Sequence, residues 1–369
     1  MRGTTTGGWL ALGRVRGLTP RALAELLERF GTPDGIARAP RAALGSVPGL
    51  APRALAELAK LGGPDSRRWE QEETARAGRL GARVLTRLQP GYPERLLEGI
   101  SDPPPAVYIR GSIEAADRHA IAIVGSRRAS PYGVEVGRRL AADLAERGYT
   151  IVSGLAWGID AAAHRGALEA GGRTLAVFGC GIDRVYPPAH AALARQIEHS
   201  GALVSEFPIG SRPLPPHFPI RNRLISGLSL AVIVVEAAEA SGSLITARLA
   251  AEQGREVGAV PGPVTSPLSV GTNRLIQDGA GLVRAWPDVI DMLPICCRLR
   301  HERKGPEPAD LGERARRLLG ALSPTAPRHI DVVAGELRES AGNLLADLLD
   351  LELRRFVVSL PGMHFLRRS

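Results

Sequence analysis

The sequence predicts an α/β protein: a doubly wound, mostly parallel sheet carried between a helical module and a winged helix. Short apolar runs rich in β-branched residues alternate with helical spacing over residues 106–285. Residues before that region read as short helices punctuated by glycine and proline. Residues after it read as three helices and a two-stranded wing. The expected organisation is a helical module at 1–85, the sheet domain at 86–295, a charged and proline-containing linker at 296–309, and a winged helix at 310–369.

In the first module Leu44-Gly-Ser-Val-Pro-Gly-Leu50 precedes a helical Pro52–Leu61. The pattern is similar to helix-hairpin-helix and SAM-like bundles. In the hairpin form the N–H groups of the glycine turn meet phosphate without reading bases; such turns also serve purely for packing. No repeat of fixed period is read along the chain.

Pro103-Pro-Pro105 precedes the first expected strand of the sheet domain. Strands are expected at Ala106–Arg110, Ala120–Gly125, Tyr149–Gly154, Arg173–Gly179, Gly201–Glu206, Leu230–Glu236, Glu256–Pro261 and Gly281–Ala285, with helices between them. Leu230-Ala-Val-Ile-Val-Val-Glu236 is apolar without alternation, as a central parallel strand covered on both faces must be. In the last module the helices are Glu313–Leu322, His329–Leu337 and Ala341–Glu352, and the wing is Phe356–Ser359 and His364–Arg367 around Pro361-Gly362. The third helix is acidic where a major-groove reader is basic, which favours a protein-contacting or spacer role.

A hydrophobic content of 44% rules out general disorder. The three cysteines, Cys180, Cys296 and Cys297, make no disulfide framework and fit a reducing cytosol. The N-terminus has no signal-peptide apolar core, and no stretch approaches the roughly 18 apolar residues of a membrane span. A cytoplasmic protein without membrane contact is expected. Of the net charge of +9, +6 falls within residues 1–100, and Lys60 and Lys304 are the only lysines. This excess of arginine follows from a GC-rich genome or from bidentate phosphate binding.

Open α/β sheets bind ligands outside the carboxyl ends of their strands, where helix N-termini present free N–H groups. Three turns are expected on that edge, at Gly125, Ser153-Gly154 and Ser241. The first, Gly125-Ser126-Arg127-Arg128, puts two arginines beside a helix opened by Pro131. The third offers the hydroxyls of Ser241, Ser243 and Thr246 around Gly242, as phosphate donors or as an N-cap from Ser243. Arg221-Asn222-Arg223 is expected to fan around the same ligand from a helix start, beside the aromatic plane of Phe218. Arginines, helix N-termini and an aromatic plane together suit single-stranded nucleic acid, whose phosphates are tracked and whose bases stack. The competing reading pairs Arg221 or Arg223 with Glu206 or Glu236.

Other chemistries lack their signatures. The first turn is not G-x-G-x-x-G and no acidic residue ends the second strand, which disfavours a nicotinamide cofactor; G-x-x-x-x-G-K-[ST] is absent. No cofactor, metal cluster or catalytic residue is expected. Asp160 and His164, one helical turn apart, read as a structural pair holding the Gly154–Asp160 loop, the alternative being a general-base pair. Gly179-Cys-Gly-Ile-Asp183 reads as a strand-end turn with Cys180 buried.

The chain closely resembles the DprA/Smf family. The residues that carry the resemblance, in family order, are Ala122-Ile-Val-Gly-Ser-Arg-Arg128, Ser153-Gly-Leu-Ala-Trp-Gly-Ile-Asp-Ala-Ala-Ala-His164, Ala176-Val-Phe-Gly-Cys-Gly-Ile-Asp183 with Tyr186-Pro187, Ser205-Glu206, Phe218-Pro-Ile-Arg-Asn-Arg-Leu-Ile-Ser-Gly-Leu-Ser229, Ser241-Gly-Ser-Leu-Ile-Thr-Ala-Arg248 and Val260-Pro-Gly262. The resemblance implies a non-catalytic protein of natural transformation that dimerises through a Rossmann-like domain. It further implies binding of single-stranded DNA and loading of RecA recombinase onto it past single-strand-binding protein. It points to Gly125, Ser126, Arg127, Ser153-Gly154, Phe218, Arg221, Asn222, Arg223 and Ser241–Ser243 as the DNA site. Some members carry a lysine three residues before the phenylalanine, where this chain has Pro215.

Two other classes stay in view. A Rossmann-like nucleotide phosphoribohydrolase carries a Pro-Gly-Gly-x-Gly-Thr loop, whereas Pro261-Gly262 is followed here by Pro263-Val264. A winged-helix transcription factor is disfavoured by the acidic third helix.

Overall fold

The structure, a computed structural model, describes residues 6–15, 17–299, 311–323, 326–353 and 356–367. The chain forms two units, Met1–Leu299 and Arg300–Ser369.

The first unit begins with helices α1 (Thr6–Gly13), α2 (Pro20–Phe30), α3 (Pro33–Arg38), α4 (Arg41–Gly45), α5 (Pro52–Leu58) and α6 (Pro64–Arg79). The turns before α2 and α5 are built alike. Val15–Leu26 and Val47–Leu58 differ only at Arg16/Pro48 and Thr19/Ala51, so the module contains a duplicated hairpin, contrary to the expectation of no repeat. Gly17 and Gly49 both have positive φ, 78° and 74°, where a Cβ is strained. Val15, Ala22 and Leu26 are buried at the positions matched by Val47, Ala54 and Leu58. The matched residues of the two copies share one buried core.

The sheet domain follows as β1 (Arg83–Thr86), α7 (Glu94–Gly99), β2 (Ala106–Gly111), β3 (Ala120–Val124), α8 (Pro131–Ala145), β4 (Thr150–Ser153), α9 (Ile159–Glu169), β5 (Thr174–Val177), α10 (Ala191–Ser200), β6 (Ala202–Ser205), α11 (His217–Gly227), β7 (Ala231–Val234), α12 (Gly242–Glu252), β8 (Glu256–Ala259), α13 (Val270–Gln277), β9 (Gly281–Leu282) and α14 (Trp286–Met292). The nine strands lie in the order β1-β2-β6-β5-β4-β3-β7-β8-β9. The pairings from β6 through β9 are parallel; β2 is antiparallel to both β1 and β6. β1 is a strand absent from the sequence expectation, straddling the expected boundary between the helical module and the sheet domain. From β3 the chain moves to β4 on one side and β7 comes to lie on the other, so β3 marks the switch point where such sheets take ligands.

Two apolar layers clamp the sheet. Val124, Val152, Val177 and Val234 pack on one face against α11 and α12, and Ile121, Ile123, Ile151 and Ile233 on the other against α8 and α9. Burial on both faces explains the continuous apolar runs. The helical module is fastened to this layer by Trp9, which joins the core around Tyr108 and Phe178. The buried Glu73 accepts from Tyr108 Oη (2.8 Å) and the Ile209 amide (2.7 Å).

Within the expected linker, Leu299 still packs against the sheet domain and its amide donates to Tyr149 Oη (2.9 Å); residues 300–310 lie outside the described residues. The second unit contains α15 (Glu313–Gly320), β10 (Arg328–His329), α16 (Ile330–Leu337), α17 (Ala341–Leu353), β11 (Val357–Leu360) and β12 (His364–Arg367), with sheet order β10-β12-β11. It is a winged helix around Leu318, Val333, Leu348 and Val357. Among the described residues no helix is long and apolar enough to cross a membrane.

Candidate nucleic-acid interface

A cavity of about 720 Å³ opens at the carboxyl ends of β3 and β7. It gathers Gly125, Ser126, Arg127, Arg128, Phe218, Arg221, Asn222, Ser241, Gly242, Ser243 and Thr246. Ser153, Gly154 and Arg223 are not among its lining residues.

The turn after β3 is fixed by its backbone. The Ser126 amide donates to Glu236 O (2.7 Å), and Ser126 Oγ accepts from the Arg128 amide (3.1 Å). Gly125 is required because a Cβ there would lie 2.6 Å from Ile159. So held, the turn presents two exposed arginines, and neither forms an ion pair among the described residues. The Arg127 guanidinium lies 4.9 Å from the centre of the Phe218 ring, and Tyr186 flanks the same ring at 5.8 Å. Sequence reasoning does not place Tyr186 in the site; its position in the Tyr-Pro pair is the signal that could have found it.

The expected phosphate site at the N-terminus of α8 is already filled. Glu236 accepts from the Ser130 amide (2.9 Å) and Ser130 Oγ (2.6 Å), placing a carboxylate where an anion would sit. The N-terminus of α12 is the open one. Its cap is Ser241, not Ser243: Ser241 Oγ accepts from the Ser243 amide (3.4 Å) and lies 2.7 Å from Ser243 Oγ. Gly242 is exposed, and a Cβ on it would meet nothing within 4 Å, so ligand can approach the backbone there. Thr246 lines the cavity one turn further in, buried.

The Arg221-Asn222-Arg223 fan does not form. These residues lie in the second turn of α11, and side chains about 100° apart go to three different places. Asn222 turns toward α12, its Nδ2 3.4 Å from Gly242 O. Arg223 turns away from the cavity to Asp102 (3.1 Å) and to Glu206, the pairing that competed with DNA contact in the sequence reading. Arg221 is buried in the cavity floor, donating to Gly154 O (2.8 Å) and Val177 O, with Nε 3.2 Å from Asn222 Oδ1. Burial pushes its guanidinium down to about 10, opposed by the Asp160 carboxylate, so it stays charged at neutral pH. Gly154 belongs to this support: a Cβ would come within 2.7 Å of the Arg221 guanidinium. Ser153 is buried too, its Oγ donating to Ile123 O (2.7 Å).

Asp160 does hold the loop after β4, its Oδ2 accepting from the amides of Gly154 (3.1 Å) and Ala156 (3.3 Å). Between them Leu155 is forced to φ 58°, and His190 Nδ1 donates to its carbonyl (2.9 Å). Burial raises the Asp160 carboxyl, while Arg221 and these amides lower it. His164 is not its partner. Thr174 Oγ1 donates to Ile151 O (2.8 Å) and therefore accepts from His164 Nδ1 (2.7 Å), which fixes the Nδ1–H tautomer. Cys180 is buried, its thiol pushed up to about 11 chiefly by desolvation. Among the described residues no group of three or more His, Cys, Asp or Glu could hold a metal.

The family model described as DNA recombination-mediator protein A matches residues 83–294, and that of the DprA winged helix domain matches 302–363. Protein Smf of Escherichia coli is 42% identical over 75% of this chain and 76% of its own length. Protein Smf of Synechocystis is 32% identical over 98% of both. Among solved structures, DNA processing protein A of Streptococcus pneumoniae superposes with a TM-score of 0.68 at 34% identity, over 79% of this chain and 99% of that one. DNA processing protein A of Helicobacter pylori, described for its single-stranded DNA binding mode, superposes with a TM-score of 0.50 at 30% identity, over 57% and 94%.

Proposed function

The chain belongs to the DprA/Smf family, and from that premise we propose that it binds single-stranded DNA across the cavity at the β3–β7 edge and delivers it to RecA recombinase. The observation that carries this reading is the convergence of two exposed arginines without an ion pair among the described residues, the Phe218 face and the open N-terminus of α12. Phosphates would lie against Arg127, Arg128 and the amides and hydroxyls of Ser241 and Ser243, and a base would stack on Phe218 beside Tyr186. Arg221 would add positive charge from below without itself reaching phosphate. The single-strand binding described for the Helicobacter pylori relative supports the choice of ligand.

The reading is non-catalytic. Asp160, His164 and Cys180, the groups that chemistry would need, are committed to backbone or core partners. The proposed setting is transformation in the cytoplasm, with the protein as a dimer through its sheet domain, protecting the strand and helping RecA past single-strand-binding protein. Anisotropy with single- and double-stranded DNA of matched length tests the first step. Preference for the single strand with affinity falling steeply between about 50 and 200 mM salt is expected; equal affinity for a blunt duplex overturns it. RecA filament formation on strands coated with single-strand-binding protein tests the second, and no acceleration by the protein overturns delivery.

A further inference from the structure

Beside the cavity lies a second and larger groove, of about 1060 Å³, between the helical module and the loop after β6. The two share a wall one residue thick. Along Arg212–Phe218, Pro213, Pro215 and Phe218 face the cavity, whereas Arg212, Leu214 and His217 face the groove. The opposite wall is built from the ends of α1 and α5 and the start of α6. The groove is a fixed feature, because Glu73 ties α6 to Ile209 and Trp9 joins the sheet-domain core.

Its chemistry repeats that of the cavity. Arg14, Lys60 and Arg212 line it, all exposed and none in an ion pair among the described residues. Arg14 lies 4.1 Å from the centre of the Trp69 ring, and His217 stacks on Phe207 at 4.4 Å, giving cation and aromatic surface side by side. Of the two acids present, Glu57 is paired with Arg53 (3.7 Å), and Asp65 sits in the first turn of α6 where the helix dipole offsets it. We propose that this groove is a second segment of the single-strand path: DNA leaving the Phe218 cavity crosses the Pro213–Pro215 wall and continues between the helical module and the sheet domain. The inference rests on the single-strand reading of the cavity and gives the helical module a direct DNA role. Unpaired cations shared across one thin wall favour a continuing polyanion over a separate partner.

The test uses the full chain and labelled oligothymidylates of about six and about sixteen nucleotides, within the span of known single-strand site sizes. In a Lys60→Glu/Arg212→Glu variant with wild-type melting temperature, affinity for the longer strand should fall about tenfold, with a salt slope shallower by about 0.7 for each phosphate no longer neutralised. Affinity for the shorter strand should not change. The milder Lys60→Gln/Arg212→Gln pair should show the same selective loss, in smaller degree, should the reversal fail to fold. Unchanged affinity for the longer strand overturns the second segment while leaving the cavity reading intact. Loss of an acidic peptide's binding with DNA affinity untouched would assign the groove to a protein instead. If wild-type protein binds neither strand, the cavity reading itself fails.

Discussion

The turn after β3 and the second turn of α11 each carry two arginines, separated by little more than the Phe218 ring, and the fold uses them in opposite ways. Arg127 and Arg128 are exposed, and neither forms an ion pair among the described residues. Arg221 and Arg223 are enclosed, one by the carbonyls of Gly154 and Val177 above Asp160, the other by Asp102 and Glu206. The difference lies in what the neighbouring chain offers. Strand ends and a clamped loop present oxygens toward α11, whereas in the turn after β3 the Ser126 carbonyl accepts from the Ile159 amide, the Ser126 amide donates to Glu236 O, and the guanidinium groups are left to solvent. On the proposed function the exposed pair would meet phosphate, and the enclosed pair would support the floor beneath it.

Substitution of Arg221 should have the largest effect. Arg221→Met leaves two buried carbonyls and the Asp160 carboxylate without their cation, and urea unfolding should show a loss of about 3–5 kcal/mol. DNA binding should vanish with the floor. A variant as stable as wild type that only loses affinity would place Arg221 with the recognition pair. Arg223→Met should also destabilise, by about 3 kcal/mol, since Asp102 and Glu206 are left facing each other. Its affinity for single strands, measured below its unfolding temperature, should match wild type; a selective loss of affinity would return Arg223 to the DNA surface.

A smaller effect is expected beneath the floor, at His164. Burial pushes His164 down to about 3, with the charges of His190, Arg221 and Arg165 acting in the same direction. The unfolded chain binds a proton near 6.5 and the folded chain does not, so this contribution is intact above about pH 6.5. It is lost as pH falls toward 3, by up to about tenfold in the unfolding constant per pH unit. Replacing the ring with His164→Phe should flatten that part of the stability profile. An unchanged slope would mean that the imidazole is protonated in the folded protein.

The same contrast explains what could be read in the sequence. Central strands announce themselves because burial on both faces demands unbroken Val and Ile, as in Leu230–Val235. β1 does not, since Arg83 and Val84 sit at the sheet edge with partial exposure. The cavity's turns were legible from Gly, Ser and Arg following those strands. Which arginine stays exposed was not, because that depends on acceptors distant in sequence: Asp102 lies before the domain's parallel strands, and Gly154 and Val177 contribute only carbonyls, which no residue code records. The duplicated hairpin is visible as sequence yet easily missed, because each copy alone reads as an ordinary short helix after a glycine turn.

The central claim, that the free pair meets phosphate, is tested most directly by the salt dependence of single-strand binding in an Arg127→Ala/Arg128→Ala variant. Its melting temperature should equal that of wild type, because neither side chain forms an ion pair among the described residues. The slope of log K against log salt should become shallower by about 1.4, or about 0.7 for each phosphate that the pair neutralises. A folded variant that keeps the wild-type slope and affinity would contradict the claim and move the DNA site away from the β3–β7 edge.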